Sequence, residues 1–101
     1  MIMNMQAILK QAQNMQRDML KEQEKINATI FEGASSLVSV KVNGKKEIIE
    51  INIDKSSTLE VEDIEALEDM ITIAVNEAMR KVDKMTEEKM GKFTNGMPGL
   101  F

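Results

Sequence analysis

The sequence predicts an α+β fold, with two long helices flanking a three-stranded antiparallel sheet in the order α-β-β-β-α. Three observations predict it. Apolar residues recur at helical spacing before residue 27 and after residue 59. Between these arms, Val38, Val40 and Val42, and then Ile49, Ile51 and Ile53, recur with a period of two. Asn43-Gly44 sits between the two runs and is the strongest short-range signal for a hairpin turn.

Helix one occupies residues 4 to 26. Met5, Ile8, Ala12, Met15, Met19 and Ile26 form an apolar stripe that Leu9 and Leu20 widen. At ~1.5 Å per residue the helix is about 33 Å long. Ile26–Glu32 is read as the first strand, with Ile26, Ala28 and Ile30 on one face and Thr29 and Phe31 on the other. Glu32-Gly33 marks a break, and Ala34-Ser35-Ser36 is the connecting turn. The hairpin spans Leu37–Asp54. A two-residue Asn43-Gly44 loop sets Val38 opposite Ile49, Val40 opposite Glu47 and Val42 opposite Lys45. A longer Asn43–Lys46 loop would shift that register. Gly33 and Gly44 are both assigned to turns.

Lys55–Thr58 forms a polar loop. Thr58 is the leading helix cap, with Asp54, Ser56 and Ser57 competing. Helix two runs from about Val61 to Met90. Ile64, Leu67, Ile71, Ala74, Ala78, Val82 and Met85 make its stripe, flanked by Met70, Val75 and Met79. Residues 1–91 thus form a single domain. Gly91 ends it, and 92–101 is a flexible C-terminal tail, with Leu100 and Phe101 able to dock on the body.

Two such helices and a small sheet do not close on themselves. Helix two, at roughly 45 Å, is longer than a compact domain of this size is wide. A second copy is the simplest cover for the remaining stripe, and most oligomers are two-fold dimers. The expected seam is Val38, Val40, Val42, Ile49 and Ile51 of the hairpin with Ile71, Ala74 and Ala78 of helix two.

Composition narrows the function. The chain has 101 residues, 43% hydrophobic and 30% charged, enough for one globular domain. It has no cysteine and no histidine, which removes thiolate chemistry, the near-neutral proton shuttle and the commonest metal ligand. Ten methionines and only three aromatic residues suggest helix contacts that adapt in shape. No apolar run approaches the ~20 residues that span a bilayer, and the N-terminal MIMNMQAILK lacks a leader-like apolar core. A cytoplasmic protein with no membrane partner is expected. No nucleophile–base pair, glycine-rich phosphate loop or metal-ligand spacing appears. An enzyme, a cofactor, a metal and a small-molecule substrate are therefore not expected.

The net charge of −4 argues mildly against a nucleic-acid partner, but it hides a polarity. Residues 60 to 69 hold Glu60, Glu62, Asp63, Glu65, Glu68 and Asp69 with no basic residue. Residues 80 to 92 hold Arg80, Lys81, Lys84, Lys89 and Lys92 against Asp83, Glu87 and Glu88. The helix macrodipole alone favours this order, and solvated faces often look so. Helix one adds what the dipole does not explain: Lys10 and Arg17 precede the first acid, Asp18. Helix one enters the sheet and helix two leaves it, so side-by-side packing brings the basic ends together. A dimer then offers two such ends to a polyanion such as duplex DNA. Gln11, Gln13, Asn14 and Gln16 could add hydrogen bonds. A rival reading is a helical protein–protein adaptor using the methionine-rich interface.

Several segments resemble the YbaB/EbfC family of bacterial nucleoid-associated proteins, over nearly the whole chain. They are Leu9-Lys10-Gln11-Ala12-Gln13 with Met15-Gln16, then Val38–Gly44, Ile53-Asp54, Leu67–Ile71, Ala74–Ala78, Glu88-Lys89-Met90-Gly91 and Gly96–Leu100. Three features depart from the family pattern. A glycine pair is usual near Ser35-Ser36, a proline is usual where Lys55 stands, and a glycine-rich start is common. The resemblance implies a tweezer-like α-β-β-β-α homodimer that binds double-stranded DNA. It further implies a place in the nucleoid, with roles in nucleoid organisation and gene regulation. DNA contacts in the family are attributed to the helical arms. By charge placement the matching positions here are Lys10, Arg17, Lys21, Arg80, Lys81, Lys84, Lys89 and Lys92. Lys45 and Lys46 beside the hairpin turn rank below them.

Overall fold

The computed structural model describes residues 4–56 and 58–94. Its order is α1 (Met5–Ala28), β1 (Ile30–Ser35), β2 (Val38–Asn43), β3 (Ile48–Ile53) and α2 (Ile64–Thr94). The strands form one antiparallel sheet in the order β1-β2-β3. The predicted α-β-β-β-α architecture is therefore present. The chain is elongated, 77 × 20 × 14 Å, with a radius of gyration of 20.4 Å. A compact domain of this length has about 13 Å.

Asn4 caps α1: its side-chain oxygen accepts the Ala7 N–H at 3.1 Å. At the other end the Thr29 N–H donates to the Ile26 carbonyl at 3.0 Å, and its hydroxyl donates to Lys25 O at 2.6 Å. Ile26, Asn27 and Ala28 are thus helical, not the start of a strand as predicted. Ile26 belongs to an apolar cluster with Met90 and Phe93, and that packing outweighs the period-two pattern. In β1 it is Phe31 and Gly33 that face the core, while Ile30 and Glu32 face out. Glu32-Gly33 lies mid-strand rather than at a break. The β1–β2 turn is at Ser36-Leu37, and Ser36 takes a left-handed φ of 50°.

The hairpin uses the longer loop. Asn43 organises it: its side-chain oxygen accepts the N–H groups of Lys45 (2.9 Å) and Glu47 (3.1 Å). The register sets Val38 opposite Ile53, Val40 opposite Ile51 and Val42 opposite Ile48. A bulge leaves Ile49 without a partner of its own, since Lys41 already pairs with Glu50. The two-residue loop would have placed Glu47 and Lys45 on the core face beside Val40 and Val42. The Asn43 side-chain hydrogen bonds and the seating of Gly44 against Ile26 O select the longer loop instead.

Neither Gly33 nor Gly44 serves a turn by taking a positive φ. A Cβ on Gly33 would lie 2.0 Å from Ala74 O and 2.7 Å from Ala78 N. A Cβ on Gly44 would lie 1.9 Å from Ile26 O. Each glycine lets a helix backbone rest on the sheet: α2 on β1, and the end of α1 on the β2 end of the hairpin.

The main core joins Phe31, Val38, Val40, Val42, Ala74, Ala78 and Val82, with Leu67, Met70, Ile71 and Met85 packed around it. Each β2 valine, fully buried, contributes roughly 1.5–3 kcal/mol of apolar transfer energy. Val38, Val40, Val42, Ala74 and Ala78 were expected at a dimer seam. One chain alone encloses all five, and Ile71 is half-buried in the same core. Ile49 and Ile51 remain 53% and 44% exposed, because α2 crosses β1 and β2 and leaves β3 open.

A single 3-10 turn, Val61–Asp63, leads into α2, and Asp63 accepts the Glu60 N–H at 2.9 Å. Glu60, not Thr58, is the capping position. α2 continues through Gly91 to Thr94, so the expected boundary at 91 does not interrupt the helix. Met90 and Phe93 are buried on either side of that glycine and hold the helix across it. The remainder of the expected tail, 95–101, lies outside the described residues.

Candidate nucleic-acid interface

α1 and α2 pack along the second cluster, in which Met15, Met19 and Met85 surround Ile26, Met90 and Phe93. The C-terminal half of α1 therefore lies against the last turns of α2. Residues 5–13 of α1 are exposed throughout and project past this seam. Lys10, Arg17 and Lys21 sit at spacings of seven and four, which places them on one helical row. Met15, Met19 and Ile26 occupy the opposite face. The basic row of α1 thus faces outward, away from α2. The expected meeting of the two basic stretches is a shared end of the molecule, not a shared cleft.

On α2, Arg80, Lys81, Lys84, Lys89 and Lys92 are all exposed. Two of them are engaged within the chain. Lys81 donates to the Glu32 carbonyl at 2.7 Å and pairs with Glu77 at 3.6 Å, so it clamps α2 to the outer edge of β1. The Lys92 ammonium lies 5.1 Å from the centre of the Phe93 ring. On α1, the Arg17 guanidinium donates to the Asn14 side-chain oxygen. Among the described residues, Lys10, Arg17, Lys21, Arg80, Lys84, Lys89 and Lys92 have no carboxylate within ion-pair distance.

Around the sheet the pattern reverses. Lys41 lies between Glu32 (3.9 Å) and Glu50 (3.8 Å), and Lys46 pairs with Asp83 at 2.5 Å. Lys46 is thereby removed as a ready phosphate contact, while Lys45 stays exposed. The bulk charge follows the same division. Residues 5–28 hold four basic and three acidic side chains, and residues 80–94 hold five and three. Residues 29–79 hold four basic against eleven acidic. The negative total belongs to the sheet and the proximal part of α2. The arms are net positive.

Other chemistry finds little footing. No cluster of three or more His, Cys, Asp or Glu among the described residues could hold a metal. No helix among them is long and apolar enough to cross a membrane. The Asp54 carboxyl is held below the usual carboxylate range by the Ser56 hydroxyl and then by the Ser56 N–H, which closes the turn after β3. That is a structural hydrogen-bonded turn at the end of the molecule remote from the arms.

Sequence reasoning missed the engagement of Lys81 and Lys46. The Lys81–Glu77 pair is a local i,i+4 contact, but the Glu32 carbonyl and Asp83 lie far away in the chain, so no local spacing reveals those two contacts.

Comparison with known proteins agrees with the fold and extends it. Residues 1–97 match the model of the YbaB/EbfC DNA-binding family. A nucleoid-associated protein of Ligilactobacillus salivarius is 44% identical over 97% of this chain and 95% of its own. One from Clostridium perfringens is 48% identical, covering 97% and 90% respectively. The crystal structure of an uncharacterised Helicobacter pylori protein, HP0035, superposes with a TM-score of 0.67 at 27% identity, covering 97% of this chain and all of that one. The chain belongs to the YbaB/EbfC DNA-binding family.

Proposed function

We propose that this protein is a homodimeric, non-enzymatic nucleoid-associated protein that binds duplex DNA through its helical arms. The observation that carries this is the division of its cations. Lys41 and Lys46 beside the sheet lie against carboxylates, as does Lys25 at the base of α1, while Lys10, Arg17, Lys21, Arg80, Lys84, Lys89 and Lys92 on the arms have none in range and are left available to phosphates. The family assignment and the names of its relatives support DNA as the partner. A second copy fits the open face of β3, where Ile49 and Ile51 are exposed. A pair of chains carries two sets of arms, as a clamp on a rod-shaped polyanion requires. Base readout rests on few candidates, the exposed Gln11, Gln13 and Gln16, so recognition depends mainly on backbone charge and DNA shape. Nucleoid organisation and gene regulation follow from such binding at many sites.

A fluorescence-anisotropy titration with a short duplex, paired with solution mass on the same sample, tests this. A dimer is expected, with affinity falling by at least about tenfold between roughly 50 and 200 mM salt. No duplex binding at low salt, or binding indifferent to salt, overturns the DNA reading. A monomer overturns the architecture. The adaptor reading has one observation in its favour: Met5, Ile8 and Leu9 are exposed at the end of α1. A nuclease-treated pull-down dominated by one protein, together with failed duplex binding, would favour it.

A further inference from the structure

The arm is held together largely by sulfur. The cluster between α1 and α2 consists of six side chains, Ile26, Met90, Phe93, Met15, Met19 and Met85, and four of them are thioethers. Met90 is buried, whereas Met15, Met19 and Met85 are half-buried, at the rim of the seam where solvent reaches. The main core contains no residue of α1. Apart from this seam, α1 is tied to the body through its last turn, where the Gly44 N–H donates to Asn27 O at 3.3 Å. No buried polar side chain among the described residues stands ready to receive a new polar group in the seam.

We infer that this seam is an oxidative modification site that takes one oxygen atom per thioether from hydrogen peroxide, and that its oxidation detaches α1 from α2. In the step, a methionine sulfur attacks the peroxide oxygen. An S–O bond forms and the O–O bond breaks. The departing hydroxide takes the proton from the sulfur-bound hydroxyl, giving water and the sulfoxide. Sulfur is oxidised by two electrons and the peroxide is reduced. The sulfoxide is polar and chiral where the seam offers only apolar neighbours, so the helices separate. Detachment scatters Lys10, Arg17 and Lys21 relative to Lys84 and Lys89. Loss of DNA grip follows, and that consequence rests on the function proposed above. The reaction is reversible by sulfoxide reductases, which makes the arm a switch rather than a casualty.

The test uses the full chain treated with hydrogen peroxide, with sulfoxides mapped by mass spectrometry. Trypsin cutting at Arg17, Lys21 and Lys25 reports the seam directly, and duplex affinity at low salt reports the consequence. The comparison variant is M15L/M19L/M85L/M90L, because leucine keeps the volume without the sulfur. Oxidised native chain should be cut in α1, and should lose duplex affinity, each by at least about tenfold, while the treated variant keeps both properties. Unchanged cutting of the oxidised native chain overturns the inference. So does equal damage in the variant, which would assign the effect to Met70 and Met79 of the main core. Should the variant not fold, sulfoxide reductase treatment of oxidised native chain replaces it: restored resistance supports the inference and persistent cutting overturns it. If untreated protein does not bind duplex at all, the DNA reading falls, and the cutting rates alone decide the seam.

Discussion

The sheet and the arms handle charge in opposite ways. At the sheet, Lys41, Lys46 and Lys81 each lie against a carboxylate, and Lys81 also reaches a strand carbonyl. On the arms, the cations of α1's outer row and of α2's last turns face water without an acidic neighbour in range. Exposed ion pairs add little to stability, typically below about 1 kcal/mol, so pairing near the sheet is mostly a matter of position. Its effect is to silence those lysines. What remains positive is concentrated on two helices that project from an acidic body. On the function proposed above, an acidic protein holds a polyanion by meeting it with the arms and not the sheet.

The comparison can be broken first at the sheet. Gly33→Ala forces a Cβ into the α2 backbone and should cost about 3 kcal/mol, read by chemical denaturation. A smaller cost would mean that α2 can lift from β1 without harm. At the arms, K84E/K89E should weaken duplex binding by at least about tenfold while stability moves by less than about 0.5 kcal/mol. Unchanged affinity would take α2 out of the interface. Ser36→Gly should stabilise by about 1 kcal/mol, because the left-handed φ of 50° strains any residue with a Cβ. Lys41→Gln should have the smallest effect, under about 0.5 kcal/mol in the melt and none on duplex affinity. A loss of affinity there would erase the distinction between the two regions.

Much of this fold is legible in the sequence because period and phase are local properties. The stripe of α2 from Leu67 to Met85 and the valines of β2 face the core as their spacing requires. The errors occur where distant packing decides. Ile26 fits a strand period and a helix period equally, and only Met90 and Phe93 select the helix. Asn43-Gly44 leaves a two-residue and a longer loop open, and only Gly44 beneath the end of α1 and the Asn43 hydrogen bonds select the longer one. Gly91 reads as a stop, although two buried neighbours can offset the roughly 1 kcal/mol that a helical glycine costs. At the candidate interface, sequence identifies the cations but not their partners. Lys81 and Lys84 look alike in the chain, yet one is a clamp and the other is free.

Gly33 and Gly44 carry a consequence for engineering. Both helices meet the sheet main chain to main chain, so the direction of each arm is set at these two contacts and not by the side chains on its outer face. Lys81 apart, which ties α2 to the edge of β1, the outer rows can then be rewritten without re-aiming the arms. The molecule separates pointing from gripping: the two glycines set where each helix meets the sheet, the methionine seam keeps α1 beside α2, and the exposed rows are left free for a partner.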